Sequence, residues 1–271
     1  MNGTIAQLVA LTCHANAALN DIDISFWPGN STCKFCRTIN FVTLKKSLLQ
    51  NTREIEVASN PNAWFEYLRN RKASGASILF LAKNDPAISD RQTAGFVGGG
   101  GYWSTVTHGP TEKSDSWMAR WSVTNRNDPQ RKIWSVNYGL VSQSIHMPPQ
   151  KYDLPTEIAT LESRLLEIKE FAKRNNLDFF KARFQRALDC LHGNAEPEYH
   201  RDLAPPNFPS DDASLLLKAT QPAWVFGGMG SWNDMWFVGA EQLEYERVSD
   251  NLFQSVNRCI VAAVNDRPKV S

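Results

Sequence analysis

The fold is decided by the stretch Trp117-Met-Ala-Arg-Trp-Ser-Val-Thr-Asn-Arg-Asn-Asp-Pro-Gln-Arg-Lys-Ile-Trp-Ser-Val-Asn-Tyr-Gly-Leu-Val141. Its first part carries apolar residues at every second position, at Trp117, Ala119, Trp121 and Val123. A two-residue period is typical of a β-strand with one buried face. Residues 132–141 show the same behaviour, and the polar residues 125–130 between the two parts are typical of a turn. The stretch therefore predicts an antiparallel hairpin.

Segments with helical periodicity lie on both sides of this hairpin. Apolar residues recur at three- and four-residue steps over residues 4–19, 61–72, 156–174, 178–192 and 249–264. Shorter strand-like stretches lie at residues 21–28, 38–42, 76–82, 95–107 and 223–238. This order predicts one α+β domain over residues 1–271, in which a central, mainly antiparallel sheet is covered by N-terminal, middle and C-terminal helices. The middle helices form a helical hairpin, residues 153–193, which is a candidate insertion in that domain.

Composition and charge exclude several classes of protein. Apolar residues make up 42% of the 271, and 29 Lys+Arg against 28 Asp+Glu give a net charge of +1. This balance argues against a nucleic-acid partner, which requires a basic surface, and the apolar fraction excludes global disorder. The sequence has neither a run of 18 apolar residues nor the basic start of a signal peptide, so we expect no membrane partner. Five cysteines do not form a disulfide framework in a chain of this length, which favours a cytoplasmic protein with reduced thiols.

Two glycine-rich segments with large aromatic residues are the most unusual feature of the sequence. The first is Gly98-Gly-Gly-Gly-Tyr-Trp103, and the second is Phe226-Gly-Gly-Met-Gly-Ser-Trp-Asn-Asp-Met-Trp-Phe237. Glycine lets a ligand approach the backbone, an indole ring offers a stacking face, and Asn or Asp can orient a bound molecule. If the segments meet, we expect a site for a small molecule or a partner protein at Tyr102, Trp103, Trp232, Asn233, Asp234 and Trp236.

Both segments also have a purely structural interpretation. The first lacks the Gly-Lys-Ser/Thr of a phosphate-binding loop and precedes strand-like residues, so a bulged or tightly turned strand pair accounts for it. In the second, the run from Trp232 to Met235 is typical of a hairpin turn, because Asn and Asp bond to their own backbone.

A second hypothesis is a hydrolase or transferase that needs no cofactor. His108 follows a predicted strand, and beside Asp234 it would act as a general base with an orienting carboxylate. Glycine backbone amides would then bind an anion. The sequence contains no Gly-x-Ser-x-Gly motif, so the catalytic candidates are His108 and Asp234 and no nucleophile is identified.

A third hypothesis is a zinc or thiol-redox protein that uses Cys33 and Cys36. Their C-x-x-C spacing is half of a zinc site, but the sequence contains no second C-x-x-C pair and no H-x₃₋₅-H. Two half-buried thiols are the favoured interpretation of the pair. The sequence identifies no cofactor and no oligomeric state, and a binding protein without catalytic activity is the first of the three hypotheses.

Overall fold

A six-stranded sheet runs through the part of the chain that the computed structural model describes, residues 1–46, 52–111, 113–146 and 152–266. The strands are β1 (Cys36–Lys46), β2 (Thr52–Ala58), β3 (Gly75–Leu81), β4 (Tyr102–His108), β5 (Lys113–Val123) and β6 (Trp134–His146). They lie in the order β2-β1-β6-β5-β4-β3, and all neighbours are antiparallel except β1 and β6. The predicted hairpin is β5 and β6, with Trp117 opposite Leu140 and Trp121 opposite Val136. The prediction of a mainly antiparallel sheet is confirmed.

Seven α-helices accompany the sheet in these residues. They are α1 (Gly3–Leu19), α2 (Pro61–Asn70), α3 (Asp90–Thr93), α4 (Leu154–Arg174), α5 (Asp178–Leu191), α6 (Asp211–Ala223) and α7 (Ala240–Asn265). Side-chain caps account for several starts: Asn2 accepts a hydrogen bond from Ile5 N–H, and Asn60 accepts one from Ala63 N–H. The N-terminal, middle and C-terminal helices that the sequence predicts are all present, so the α+β fold class is confirmed.

Helix α1 is buried on all sides, where the periodicity predicted an amphipathic helix. Its polar residues are satisfied by the sheet: Tyr138 Oη donates to Gln7 Oε1 at 2.8 Å, and the Thr12 hydroxyl lies 2.9 Å from that of Thr105. A buried polar group without a partner costs free energy, and these bonds remove that cost. They also fix the position of α1 on strands β4 and β6.

Helices α4 to α7 pack on one another, with α4 against α5 and α7, and α6 against α5 and α7. Helix α7 begins at Ala240, nine residues before the predicted start at residue 249, and α6 was not predicted. A contiguous set of buried apolar residues joins these helices to α1 and the sheet. The single-domain organisation with a candidate insertion at residues 153–193 stays a prediction.

Two predicted strands are wrong. Residues 21–28 contain no strand, and residues 223–238 contain only the end of α6 and one 3₁₀ turn, Trp232–Asp234. In the second case Ser231 caps the turn by accepting from Asn233 N–H, and the Trp232 ring is buried against helices instead of alternating along a strand. The strand predicted over residues 95–107 begins at Tyr102, because positive φ angles of the preceding glycines are incompatible with a strand.

None of the helices in the described residues is both long enough and apolar enough to span a bilayer.

Candidate functional site

A cleft of about 1100 Å³ lies between the edge strand β3 and helix α7, and we call it the edge cleft. The β3 side is formed by residues 77–81, and the α7 side by residues that recur at helical spacing: Asp250, Phe253, Asn257, Val261 and Asn265. The segment from Ala82 to Arg91 and the turn between β4 and β5 complete the lining. The volume is at the upper end of the range for small-molecule sites.

At one end of the edge cleft, the side-chain amide of Asn265 forms the two backbone hydrogen bonds that a neighbouring strand would form with β3. Asn265 Oδ1 accepts from Ile78 N–H at 2.8 Å, and Asn265 Nδ2 donates to the Ile78 carbonyl at 3.0 Å. Asn16 of α1 makes the same pair of bonds to Ala76, at 2.6 and 2.9 Å. The outward backbone groups of this edge strand are therefore paired at two successive positions, which protects the edge.

The other end is closed by Arg91 of α3, whose side chain is only 2% exposed. Its Nε donates to Asp250 Oδ1 at 2.6 Å, a second nitrogen donates to Glu246, and a third lies 3.3 Å from Asn233 Oδ1. The guanidinium carbon also lies 5.6 Å from the centre of the Tyr245 ring. Burial raises the pKa of Tyr245 to about 12, although the nearby Arg91 opposes this shift. This network holds α3 against α7.

Asn257 lies between these two ends and is buried, and its amide has no hydrogen-bond partner among the described residues. Its residue is 2% exposed, and neither Nδ2 nor Oδ1 bonds to any residue that the structure describes. Such a group carries a desolvation penalty of about 1–3 kcal/mol. Asn257 lines the edge cleft with both amide atoms buried, so a ligand with a donor and an acceptor would remove that penalty only by drawing the amide into the cleft.

His108 also lines the cleft and lies between two serines of neighbouring strands. Its Nε2 lies 2.8 Å from Ser77 Oγ, and its Nδ1 lies 2.9 Å from Ser114 Oγ. Asp234, the predicted orienting carboxylate, accepts instead from Gly230 N–H in the loop before α7. Since both ring nitrogens of His108 face serine hydroxyls, the pairing of His108 with Asp234 is absent from the structure.

The six residues of the predicted aromatic site do not line the edge cleft. Trp232 is fully buried: its Nε1 donates to Ser249 Oγ at 2.7 Å, and its ring contacts Phe171, Phe180, Phe184 and Tyr245. Its ring has no face open to a ligand, because core packing takes the whole ring. Trp103 is also buried, with its ring centre 4.7 Å from that of Phe80. Tyr102 and Trp236 are exposed, at 51% and 75%.

The chain just before the first glycine segment contacts the second segment through the backbone. A Cβ atom on Gly95, just before the first segment, would lie 2.1 Å from the carbonyl oxygen of Gly227, so only glycine fits there. Next to this contact, Asn233 Nδ2 donates to the Arg91 carbonyl at 2.8 Å. Asn233 therefore positions Arg91 at the end of the edge cleft, where the sequence predicted direct contact with a ligand.

In the described residues, the Cys33–Cys36 pair does not belong to a cluster that could hold a metal ion. No group of three or more His, Cys, Asp and Glu there is arranged to hold a metal ion. Both thiols are buried, and burial raises the pKa of Cys33 to about 12 and that of Cys36 to about 11. Protonated thiols are poor nucleophiles, which disfavours redox chemistry at this pair.

Sequence reasoning missed Asn257 and Asn265, although a signal for both was present. The predicted apolar stripe of the last helix includes Phe253 and Ile260, and Asn257 falls within that stripe, four residues after Phe253. Asn265 follows eight residues later, on the same side of the helix. An asparagine on a buried stripe needs a partner, and here the partners are a strand edge and a cleft.

Comparisons of the chain with known protein families, with curated proteins and with solved structures found no match.

Proposed function

We propose that this protein is a binding protein whose ligand occupies the edge cleft. The observation that carries the proposal is made at Asn257, which lines a cleft of about 1100 Å³ and whose buried amide has no partner among the described residues. Native proteins satisfy most buried polar groups, so an exception at the wall of a cleft favours a bound partner. The hydrogen bonds of Asn265 and the ion pairs of Arg91 hold both walls of the cleft in place before binding, which lowers the entropic cost of ordering them on association.

The proposed ligand is a small molecule or a segment of a partner protein that both donates and accepts hydrogen bonds. Apolar side chains of Phe80, Phe253 and Val261 would cover its nonpolar surface. This proposal keeps the predicted binding function and moves the site from the glycine and tryptophan segments to the space between β3 and α7.

A screen of small polar fragments, followed by amide chemical shifts in NMR, tests this function. We expect bound fragments to shift residues of β3 and α7, and Asn257→Leu to weaken their binding at least ~10-fold, the equivalent of one hydrogen bond. Ser255→Ala is the matched control, because Ser255 is buried on the same helix but does not line the cleft. Fragments that bind only elsewhere, or equally well to Asn257→Leu, contradict the proposal.

Hydrolysis is a second candidate, favoured by the 2.8 Å distance from His108 Nε2 to Ser77 Oγ inside the cleft. In the tautomer with the proton on Nδ1, that nitrogen donates to Ser114 and Nε2 accepts from Ser77. Ser77 Oγ would then attack a carbonyl while Nε2 takes its proton. Labelling by a fluorophosphonate probe tests this candidate: it requires modification of Ser77 that His108→Gln abolishes, and an unlabelled wild-type protein rules it out.

The cytoplasmic location is part of the proposal. It is supported by the five cysteines, all of which are free and buried. Alkylation of the unfolded, unreduced protein from its native cells is expected to modify all five thiols, and disulfide-linked peptides would argue for an oxidising compartment.

A further inference from the structure

The backbone groups of β3 that point away from β4 show which kind of chemical group binds to this edge of the sheet. Ala76 and Ile78 each present an N–H and a carbonyl away from β4, and each receives the side-chain amide of an asparagine, Asn16 or Asn265. A primary amide carries the same donor and acceptor as a peptide group. The amides of Asn16 and Asn265 therefore bind to this edge as the peptide groups of a neighbouring strand would.

The next outward position along the strand is Phe80, which lines the edge cleft. Strand geometry repeats every two residues, so the N–H and carbonyl of Phe80 point the same way as those of Ala76 and Ile78, about 6.8 Å further on. No hydrogen bond joins these two groups to a residue that the structure describes. The third position of the series is thus open toward the cleft.

Asn257 lies on the opposite wall, with its amide buried behind the surface of the cleft. An extended peptide presents its backbone groups alternately to its two sides, so one residue can pair with Phe80 while its neighbours face the wall at Asn257, whose amide would turn toward them. We propose that the ligand of the edge cleft is an extended peptide segment of another protein, which adds to β3 at Phe80. This inference rests on the proposed binding function of the cleft and names its ligand class.

The charges of the cleft favour a peptide that carries a basic residue. Arg91 is paired with Asp250, and Arg258 donates to both carboxylate oxygens of Glu157. Asp85 and Asp90 also line the cleft, and they accept hydrogen bonds from the backbone N–H groups of Ala87 and Lys83. These two carboxylates therefore provide negative charge at the Arg91 end of the cleft, where a Lys or Arg of the peptide would complement it.

This inference is tested by selection from a phage-displayed library of random dodecapeptides. The selected peptides are then synthesised and studied as free peptides. We expect binding to slow hydrogen exchange of the Phe80 amide at least ~10-fold, since that N–H becomes bonded. N-methylation of the peptide, one residue at a time, is expected to weaken binding at least ~10-fold at alternate residues only. The methylated peptides are matched controls that leave the protein unchanged.

Three results would overturn the inference. The first is peptide binding that no N-methylation weakens, and the second is peptide binding that does not slow hydrogen exchange of the Phe80 amide. The third is a library that yields no peptide whose binding Asn257→Leu weakens. If polar fragments still bind the cleft in an Asn257-dependent manner, the binding function stands and only the peptide is wrong. If neither fragments nor peptides bind there, both proposals fail.

Discussion

Asn265 hydrogen-bonds the N–H and the carbonyl of the same residue, Ile78, and thereby takes the place of a seventh strand beside β3. Asn16 does the same for Ala76, two residues earlier. Asn16 belongs to the first helix and Asn265 to the last, so both ends of the described chain cover one strand edge. Ile78 and Asn265 also line the edge cleft, so part of this cover forms its wall.

The two asparagines form a natural pair of test positions. Asn16→Ala leaves the Ala76 groups unpaired in a fully buried environment, whereas Asn265→Ala leaves those of Ile78 beside a cleft that water can enter. We expect both variants to lose unfolding free energy, by about 1–3 kcal/mol, with the larger loss for Asn16→Ala. Urea unfolding measures the loss, and hydrogen exchange should speed up locally at Ala76 or at Ile78. A larger loss for Asn265→Ala would contradict this account.

The contact between Gly95 and Gly227 gives a second prediction. Gly95→Ala would place Cβ 2.1 Å from a backbone oxygen, which cannot move as a side chain can. We expect a loss of about 1–3 kcal/mol of unfolding free energy from the forced shift. Gly228→Ala is the control, because a Cβ there meets no atom within 4 Å. Equal stability of the two variants would show that Gly95 and Gly227 do not touch in solution.

The two tryptophans of the second glycine segment differ sharply in burial, at 0% for Trp232 and 75% for Trp236. Trp232→Ala is expected to cost about 3–5 kcal/mol, because it leaves a cavity among the surrounding rings. Trp236→Ala is expected to change the unfolding free energy by less than about 0.5 kcal/mol. Thermal and urea unfolding followed by circular dichroism compare the two variants. A similar loss of unfolding free energy in both would contradict the finding that Trp232 is buried and Trp236 is not.

This pair also shows how far the sequence predicts the fold. The β5–β6 hairpin and helices α2, α4 and α5 were predicted because their apolar residues repeat at a local period over many residues. Residues 223–238 have no such period, and the fate of Trp232 depends on helices that are distant in sequence from it. Its conformation is set by tertiary packing, which overrides a local preference for a strand.

The candidate site was predicted less well than the fold, for a related reason. His108 was singled out from its position at a strand end, and it does line the edge cleft. Its partners Ser77 and Ser114 depend on strand register, and the register of β3 against β4 cannot be read from residues 76–82 alone. Asn257 falls on the apolar stripe of the last helix, but its position in the sequence does not reveal whether its amide has a partner.

Histidine burial predicts a pH dependence of stability. Desolvation lowers the pKa of His14 below its ordinary value of 6.5, and His200 shows the same direction and main cause. The unfolded chain therefore takes up a proton at a higher pH than the folded protein does. The folded protein therefore has its full free energy of unfolding above about pH 6.5, where both states are neutral at these histidines. It loses part of that free energy as the pH falls below about 6.5, because only the unfolded chain is protonated there.

Unfolding in urea between pH 7.5 and 5 measures this effect. Each histidine contributes at most about 1.4 kcal/mol per pH unit in the window below its unfolded pKa. We expect His14→Gln and His200→Gln each to flatten the dependence, and the double variant to flatten it most. A double variant with the wild-type slope would show that other groups cause the loss.

Asn257→Leu separates stability from function most directly. The side chains are similar in size, and leucine removes a buried amide that has no partner among the described residues. We expect the free energy of unfolding to rise by about 1–3 kcal/mol, the penalty that an unpaired buried polar group carries. Natural sites keep such unfavourable groups where function needs them, so the gain in stability should accompany the loss of fragment binding. Differential scanning calorimetry of this variant and of the wild-type protein measures the gain. A clear loss of stability would mean that Asn257 is bonded within the folded protein, and its amide would then not be available to a ligand.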